Sequence, residues 1–425
     1  MTYIGFWKWG FRSTLKIHTS NAETQPEISK STTFADFVRT KIPLLDESKK
    51  LWLNPLLFNG ALQTLYYGMH NSATEFQVYY GRELFTYKDG GECSLDWVIE
   101  SPESDDEFRK LYKETLPETS PKLHPRTRFF TGEELAKQVK PGQTSDTAPI
   151  CVVFHGLAGG SHEPLIRNLA QDLKKIPGTK WDVVVVNSRG CCRTKITTGK
   201  LFTGLSHEDI HEVLVDLKKR YPNRPVYTVG FSFGGLLVAN YLAIHGDEAK
   251  KLVKSAVVVG CPWDMEESAR HIRKSLTGQY MLGPSLTTFL NKLIKSNSKE
   301  LQQHSPEVYN DESIKKAKMA KQTSDWDDIF TCKAAGFKNS WEYYREASPV
   351  HRAEKIRVPL LSLNATDDPT VSTDIDFDKL VKENPYLAMV ESNLGGHLGW
   401  VKPSGEFWCV EVVSEFINTF NAQAN

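Results

Sequence analysis

The feature that most restricts the fold is a rhythm that begins at Pro149 and runs nearly to the end of the chain. Short apolar runs recur through it: ICVVFHG (150–156), WDVVVVNSRG (181–190), PVYTVGFS (225–232), KSAVVVGCP (254–262), VPLLSLNATDD (358–368) and YLAMVES (386–392). Between them lie amphipathic stretches of helical period, such as EPLIRNLAQDLKKI (163–176) and HEDIHEVLVDLKKRY (207–221). Strands that are apolar throughout are buried on both faces, and strands joined through helices run parallel. The expectation is an α/β chain with a mostly parallel central sheet flanked by helices. The rhythm breaks once, at 263–348, where a helical-looking stretch rich in Lys, Ser and Gln separates two strands. An insertion there sits over the carboxyl ends of the strands, where such sheets hold ligands. It reads as a lid.

Upstream the pattern changes. QVYYGRELFTYK and ECSLDWVIE alternate on either side of Asp89-Gly90-Gly91, which predicts an antiparallel hairpin with its glycines at positive φ. Residues 101–125 are acidic, Ser/Pro-rich and aperiodic, and read as a surface excursion. The division that follows is an N-terminal extension (1–75), a first core segment (76–262), the lid (263–348) and a second core segment (349–425). The extension opens with Tyr3, Phe6, Trp7, Trp9 and Phe11 interleaved with Lys8, Arg12 and Lys16, and no acid precedes Glu23. Such a segment is either an interfacial or targeting element or an arm packed on the body.

Composition removes several classes of function. With 52 basic and 52 acidic residues the chain lacks the basic surplus that a nucleic-acid binder needs. The longest uncharged run, Leu51 to Thr74, is broken by Asn54, Pro55, Asn59, Gln63, His70 and Asn71, so it makes a poor spanning helix. Seven cysteines with no CxxC pair and no secretory signal fit a reduced, intracellular chain. Cys191-Cys192 follows a buried strand and reads as structural, as does the His211-x4-Asp216 spacing on one amphipathic helix. No His/Cys/Asp cluster shows metal-ligand spacing, and neither a metal nor a cofactor is expected.

Chemistry enters at Gly230-Phe231-Ser232-Phe233-Gly234, between the strand run VYTVG and the helical LLVANYLAI. In that context G-x-S-x-G lifts a serine hydroxyl above the sheet on a tight turn. A serine needs a base, and the base needs an orienting acid. In the chain order expected for this turn the acid comes next, at Thr366-Asp367-Asp368-Pro369, and the histidine last, in Gly395-Gly396-His397-Leu398-Gly399, 29 residues beyond Asp368. Of the twelve histidines only His397 has this order and setting, while His207, His211 and His245 read as helix surface. Asp368 is taken as the acid because its loop turns at once through Pro369, and Asp367 as a cap of that turn. His155-Gly156-Leu157-Ala158-Gly159-Gly160 follows a strand and suits an oxyanion loop, with the amides of Leu157 and Phe233 as donors. The alternatives for this loop are a flexible strand-end turn or a phosphate loop, although neither GxGxxG nor GxxxxGK[ST] is present.

These residues resemble the α/β-hydrolases, in their branch of large intracellular lipid esterases. Within it the chain is similar to the fungal medium-chain fatty acid ethyl ester synthase/esterases. The likeness is carried by FNGALQTLYYG (58–68), YYGRELFTYKDGGECSLDW (79–97), HGLAGGSHEPLIRNLA (155–170), NSRGCCRTKITTGKLFTG (187–204), GFSFGG (230–235), IRVPLLSLNATDDPTV (356–371) and LGGHLGW (394–400). It implies Ser232 as nucleophile, Asp368 as orienting acid and His397 as general base. It also implies hydrolysis of medium-chain fatty acyl esters and transfer of acyl groups from acyl-CoA to ethanol. Contact with lipid droplets or the mitochondrial outer membrane is implied too. A monoacylglycerol lipase that only hydrolyses, and a non-catalytic lipid-binding scaffold, are the alternatives.

Overall fold

The computed structural model describes residues 11–22, 25–29, 32–70 and 75–423. Among them one sheet contains ten strands: β1 (Leu15–Thr19), β2 (Tyr79–Thr86), β3 (Glu92–Ile99), β4 (Thr127–Phe129), β5 (Ile150–Phe154), β6 (Asp182–Asn187), β7 (Val226–Phe231), β8 (Ser255–Val259), β9 (Leu360–Ala365) and β10 (Leu387–Ser392). Their spatial order is β1-β10-β9-β8-β7-β5-β6-β3-β2-β4. The strands β5 to β10 lie together and pair in parallel, while β3 and β1 flank them in antiparallel register. The sheet is therefore mixed and mostly parallel.

The helices that matter below are α1 (Gly60–Met69), α2 (Asp105–Thr115), α3 (Pro164–Lys175), α4 (His207–Arg220), α5 (Phe233–Leu252), α6 (Met265–Lys274) and α7 (Trp408–Gln423). Every residue of β5, β7, β8 and β9 is buried, and the side chains of β5 divide between two cores. Cys151 and Val153 pack with Leu165 and Leu169 of α3 and Phe416 of α7. Ile150, Val152 and Phe154 pack on the other face with Val213 and Leu217 of α4 and Leu236 of α5. α3 shows why such stretches become helices: Pro164 presets its first turn, and Leu165, Leu169 and Leu173 recur every fourth residue on the buried side.

Two expectations change and a third narrows. The hairpin runs from Tyr79↔Ile99 to Thr86↔Glu92, but only Gly90 has positive φ (82°). Gly91 answers to crowding instead, because a Cβ there would lie 1.9 Å from Arg189 Nη1. The 101–125 segment is not aperiodic. Phe108, Leu111 and Tyr112 form a half-buried stripe on α2, whose start is capped by Ser104 accepting from the Glu107 amide. Of the aromatic N-terminal segment, Tyr3, Phe6, Trp7 and Trp9 lie outside the described residues. Phe11 sits 5.7 Å from Trp52, and β1 pairs with β10, so the described part of the arm packs on the body.

Between β8 and β9 the chain is helical throughout, through α6, Gly283–Ser296, Ser298–His304, Asp311–Ala317, Thr323–Ile329, Thr331–Ala335 and Ser340–Ala347. Those from Gly283 to Ile329 share a small core of Leu290, Ile294, Leu301, Tyr309, Trp326 and Phe330, while Ala269 of α6 packs with Cys332, Tyr343, Tyr344 and Ala347. Among the described residues no helix is long and apolar enough to cross a membrane.

Candidate active site

Ser232 stands where β7 turns into α5, with φ 52° and ψ −118°. For a residue with a side chain that conformation costs on the order of 1–3 kcal/mol. The turn leaves its flanks no room: a Cβ at Gly230 would lie 2.4 Å from the Gly234 carbonyl oxygen, and one at Gly234 would lie 2.2 Å from that of Phe154. Those two approaches, rather than backbone freedom, are what the motif's glycines supply. The strained serine is held by its own N–H on Val259 O at 2.8 Å and by the Gly235 N–H on its carbonyl at 2.8 Å.

The three residues singled out from order and setting come together here. His397 Nε2 lies 2.8 Å from Ser232 Oγ, and His397 Nδ1 lies 2.7 Å from Asp368 Oδ2. The other Asp368 oxygen accepts the amides of Thr370 at 2.7 Å and Val371 at 2.8 Å, so both carboxylate oxygens are engaged. Asp368 is 3% exposed and His397 8%. A buried carboxylate on Nδ1 sets the tautomer that leaves Nε2 able to accept the serine proton.

Asp367 reaches beyond its own turn. Its Oδ1 accepts the Gly396 amide at 2.9 Å and so holds the loop that carries His397. The His397 amide itself donates to Thr64 Oγ1 of α1 at 2.8 Å. Thr64 was not legible, since a helix 333 residues upstream carries no local sign of this contact. The only hint is that it lies in the block FNGALQTLYYG, quoted above for the family likeness.

The glycine-rich loop after β5 passes over Ser232, and a Cβ on Gly156 would lie 3.7 Å from Ser232 Cβ. Phe233 heads α5, where an N–H has no intrahelical acceptor. Neither its amide nor that of Leu157 donates to another group among the described residues. Both residues line the cavity that Ser232 faces. Two side chains missed in the sequence brace this loop. His155 Nδ1 donates to Gly156 O at 2.7 Å while its Nε2 accepts the Ser188 amide at 3.0 Å, and burial pushes it down to about 4, so the ring is neutral. Glu163 accepts from the Gly156 amide and the Tyr67 hydroxyl, each at 3.4 Å, and burial holds its carboxyl above the usual carboxylate range.

The cavity has a volume of about 840 Å³, within the range of small-molecule sites. Its floor carries Ser232, Phe233, Leu157 and His397, and the helical insertion contributes Leu286, Phe289, Leu290 and Trp326. On α6, His271 Nε2 approaches the Asp368 carbonyl oxygen at 3.1 Å, so the insertion rests on the loop that carries Asp368. Cys191 and Cys192 are buried, and burial pushes both thiols up, which leaves them protonated and unreactive.

A strained serine at a strand–helix turn, a histidine on it and a buried carboxylate behind that histidine occur here on a mostly parallel α/β sheet. A family model described as alpha/beta hydrolase fold matches residues 149–399, and the chain belongs to the α/β hydrolases. Within them it groups with the fungal fatty acid ethyl ester synthase/esterases. It is 36% identical over 438 residues to the medium-chain fatty acid ethyl ester synthase/esterase 2 of Saccharomyces cerevisiae, covering 97% of this chain and 94% of that one. It is also 33% identical over 419 residues to the monoacylglycerol lipase of the same yeast, covering 97% and 88%. The phospholipase ABHD3 of Mus musculus is 26% identical over 76% of this chain and 67% of its own. Fold and relatives together put the chain among the hydrolases of the esterase and lipase kind.

Proposed function

We propose that the chain is a serine esterase and acyltransferase that acts on medium-chain fatty acyl esters through an acyl-Ser232 intermediate. The observation that carries this reading is the unbroken hydrogen-bond chain Asp368–His397–Ser232 at the floor of a largely apolar cavity. His397 Nε2 takes the Ser232 proton as Oγ attacks the acyl carbonyl. The Leu157 and Phe233 amides receive the developing oxyanion, and a preorganised donor of this kind is worth about 10²–10³ in rate. His397 then passes its proton to the departing thiolate or alkoxide, so a thiol or alcohol leaves. Water or ethanol attacks the acyl-serine next, its proton going back to His397, and Oγ recovers that proton as the acid or ester departs.

The second acceptor is assigned as ethanol, supported by the name of the yeast ethyl ester synthase/esterase relative, and the donor as acyl-CoA, as the family likeness of the sequence implies. The 33% identical yeast relative named as a monoacylglycerol lipase favours a second reading, hydrolysis of monoacylglycerol alone. Residues 263–348 act in either case as a lid. Its exposed Leu276, Tyr280 and Met281 support docking on a lipid surface such as a droplet or the mitochondrial outer membrane.

Product partitioning decides between the readings. Octanoyl-CoA incubated with and without ethanol should yield ethyl octanoate and octanoate, with Ser232→Ala as the blank. Octanoate alone, together with faster release from monooctanoylglycerol, would move the assignment to the lipase. No product with any donor, and no labelling of Ser232 by a fluorophosphonate, would leave the lipid-binding scaffold.

A further inference from the structure

Away from the catalytic cavity, three histidines gather between α4 and α5. His207 and His211 stand one turn apart on α4, and His245 faces them from α5, one residue before that helix breaks at Gly246 with φ 42°. His207 Nδ1 lies 3.0 Å from His245 Nε2. Glu208 Oε1 lies 3.4 Å from the first nitrogen and 3.7 Å from the second. We propose that His207, His245 and Glu208 form a binding site for a divalent transition ion of the zinc class, a staple between α4 and α5.

The separations are those of a coordination shell. Ligands about 2.0–2.1 Å from a tetrahedral zinc stand about 3.3–3.4 Å from one another. The three distances here straddle that value. A direct hydrogen bond between the histidines explains one of them only. Two ring nitrogens 3.0 Å apart can hold only one proton between them. The proton that one nitrogen shares with the other is then not available to Glu208. Two nitrogens and a carboxylate oxygen, all electron-rich, converge on one point with a single proton among them. A cation satisfies all three.

The surroundings suit such an ion. His245 is 9% exposed, and its ring is stacked on His211 at 4.4 Å and tilted against Tyr241 at 4.9 Å, contacts that fix its plane. Its second nitrogen has the Glu248 carboxylate at 3.9 Å, beyond hydrogen-bond distance. Glu208 is 63% exposed, so solvent reaches the remaining coordination position. Arg352 is engaged elsewhere, with Asn240 at 2.8 Å and Glu346 at 2.8 Å. Two other groups exist among the described residues: His211 with His245 and Glu248, in which the two rings stack at 4.4 Å instead of converging, and His124 with His162 and Cys192, also a poorer ligand set. In the latter the imidazoles stack face to face at 3.9 Å, so their lone pairs run side by side instead of converging.

Thirteen residues separate Ser232 from His245 along α5, about 20 Å at 1.5 Å per residue. The ion is therefore a staple on the helix that carries the nucleophile, and it takes no part in the reaction proposed above. The test uses the untagged full-length chain, stripped with a chelator and titrated with zinc chloride by calorimetry and by thermal unfolding. One zinc per chain and a melting temperature that rises with zinc are expected, and cobalt should give the visible bands of a four-coordinate site. His207→Asn and Glu208→Gln, at partly exposed positions, should each weaken binding by at least about 100-fold, and Glu248→Gln by at most about 10-fold. His124→Ala should leave the affinity unchanged. Zinc binding that is no tighter than in His207→Asn/His245→Asn, or that His124→Ala abolishes, overturns the proposal.

Discussion

The strand ends that carry Ser232 and Asp368 and the helical insertion that faces them border one cavity but are built from different materials. β7 and β9 are buried along their whole length, and each site residue is fixed by short hydrogen bonds, Asp368 to two amides and His397 to Thr64. The insertion brings Leu286, Phe289, Leu290 and Trp326 on short helices around a small core of its own. Leu276 and Tyr280 are each 75% exposed. Directional bonds have one right answer, and losing one cannot be repaired by repacking. Apolar surface accepts other side chains of similar volume. Substitutions in the two regions should therefore separate, those in the sheet acting on kcat and those in the insertion on KM and acyl preference.

The separation can be broken first at the nucleophile. Ser232→Ala should lower kcat by about 10⁶-fold with the fold intact. Ester turnover near the wild-type rate in that variant would falsify the whole division. Asp368→Asn should cost about 10⁴-fold in kcat, because the wrong histidine tautomer is then favoured, and steady-state kinetics read it directly. Thr64→Val sharpens the comparison at longer range. It should lower kcat about tenfold, the equivalent of one hydrogen bond, with KM unchanged, and a rise in KM alone would place Thr64 with the insertion instead. On the other side, Leu290→Ala should destabilise the insertion by about 2–5 kcal/mol in thermal unfolding. It should shift chain-length preference while Ser232 still labels with a fluorophosphonate.

The smallest effect is electrostatic. Burial raises the Asp327 carboxyl from 3.8 to about 6, and the Thr331 and Tyr344 hydroxyls donate to it. The folded chain binds this proton more tightly than the unfolded one, so its contribution is present below about pH 4 and is lost as pH rises to about 6. Denaturant unfolding should show wild-type stability falling relative to Asp327→Asn across that window, by about 1–3 kcal/mol, and running parallel outside it.

What was legible in the sequence follows the same line. Buried parallel strands betray themselves by unbroken runs such as VVVV at 183–186, and the elbow by glycines that steric approach demands. Ser232, Asp368 and His397 follow from chain order once the elbow is recognised. The supports were hidden, because Thr64, Glu163 and His155 act through partners brought to them by the fold. The α2 stripe was lost among acidic neighbours that the Ser104 cap turns into a favourable first turn. His207 and His245 looked like separate surface residues until two helices packed side by side.

The tether between Thr64 and His397 also sets a timetable. Ribosomes deliver Thr64 early and His397 more than three hundred residues later, and β1 likewise waits for β10. A nascent chain exposes Ser232 on its elbow well before the base and its anchor can meet. The hydrogen-bond chain through Ser232, His397 and Asp368 is therefore completed only after the late-made His397 loop has come back to the early-made helix of Thr64.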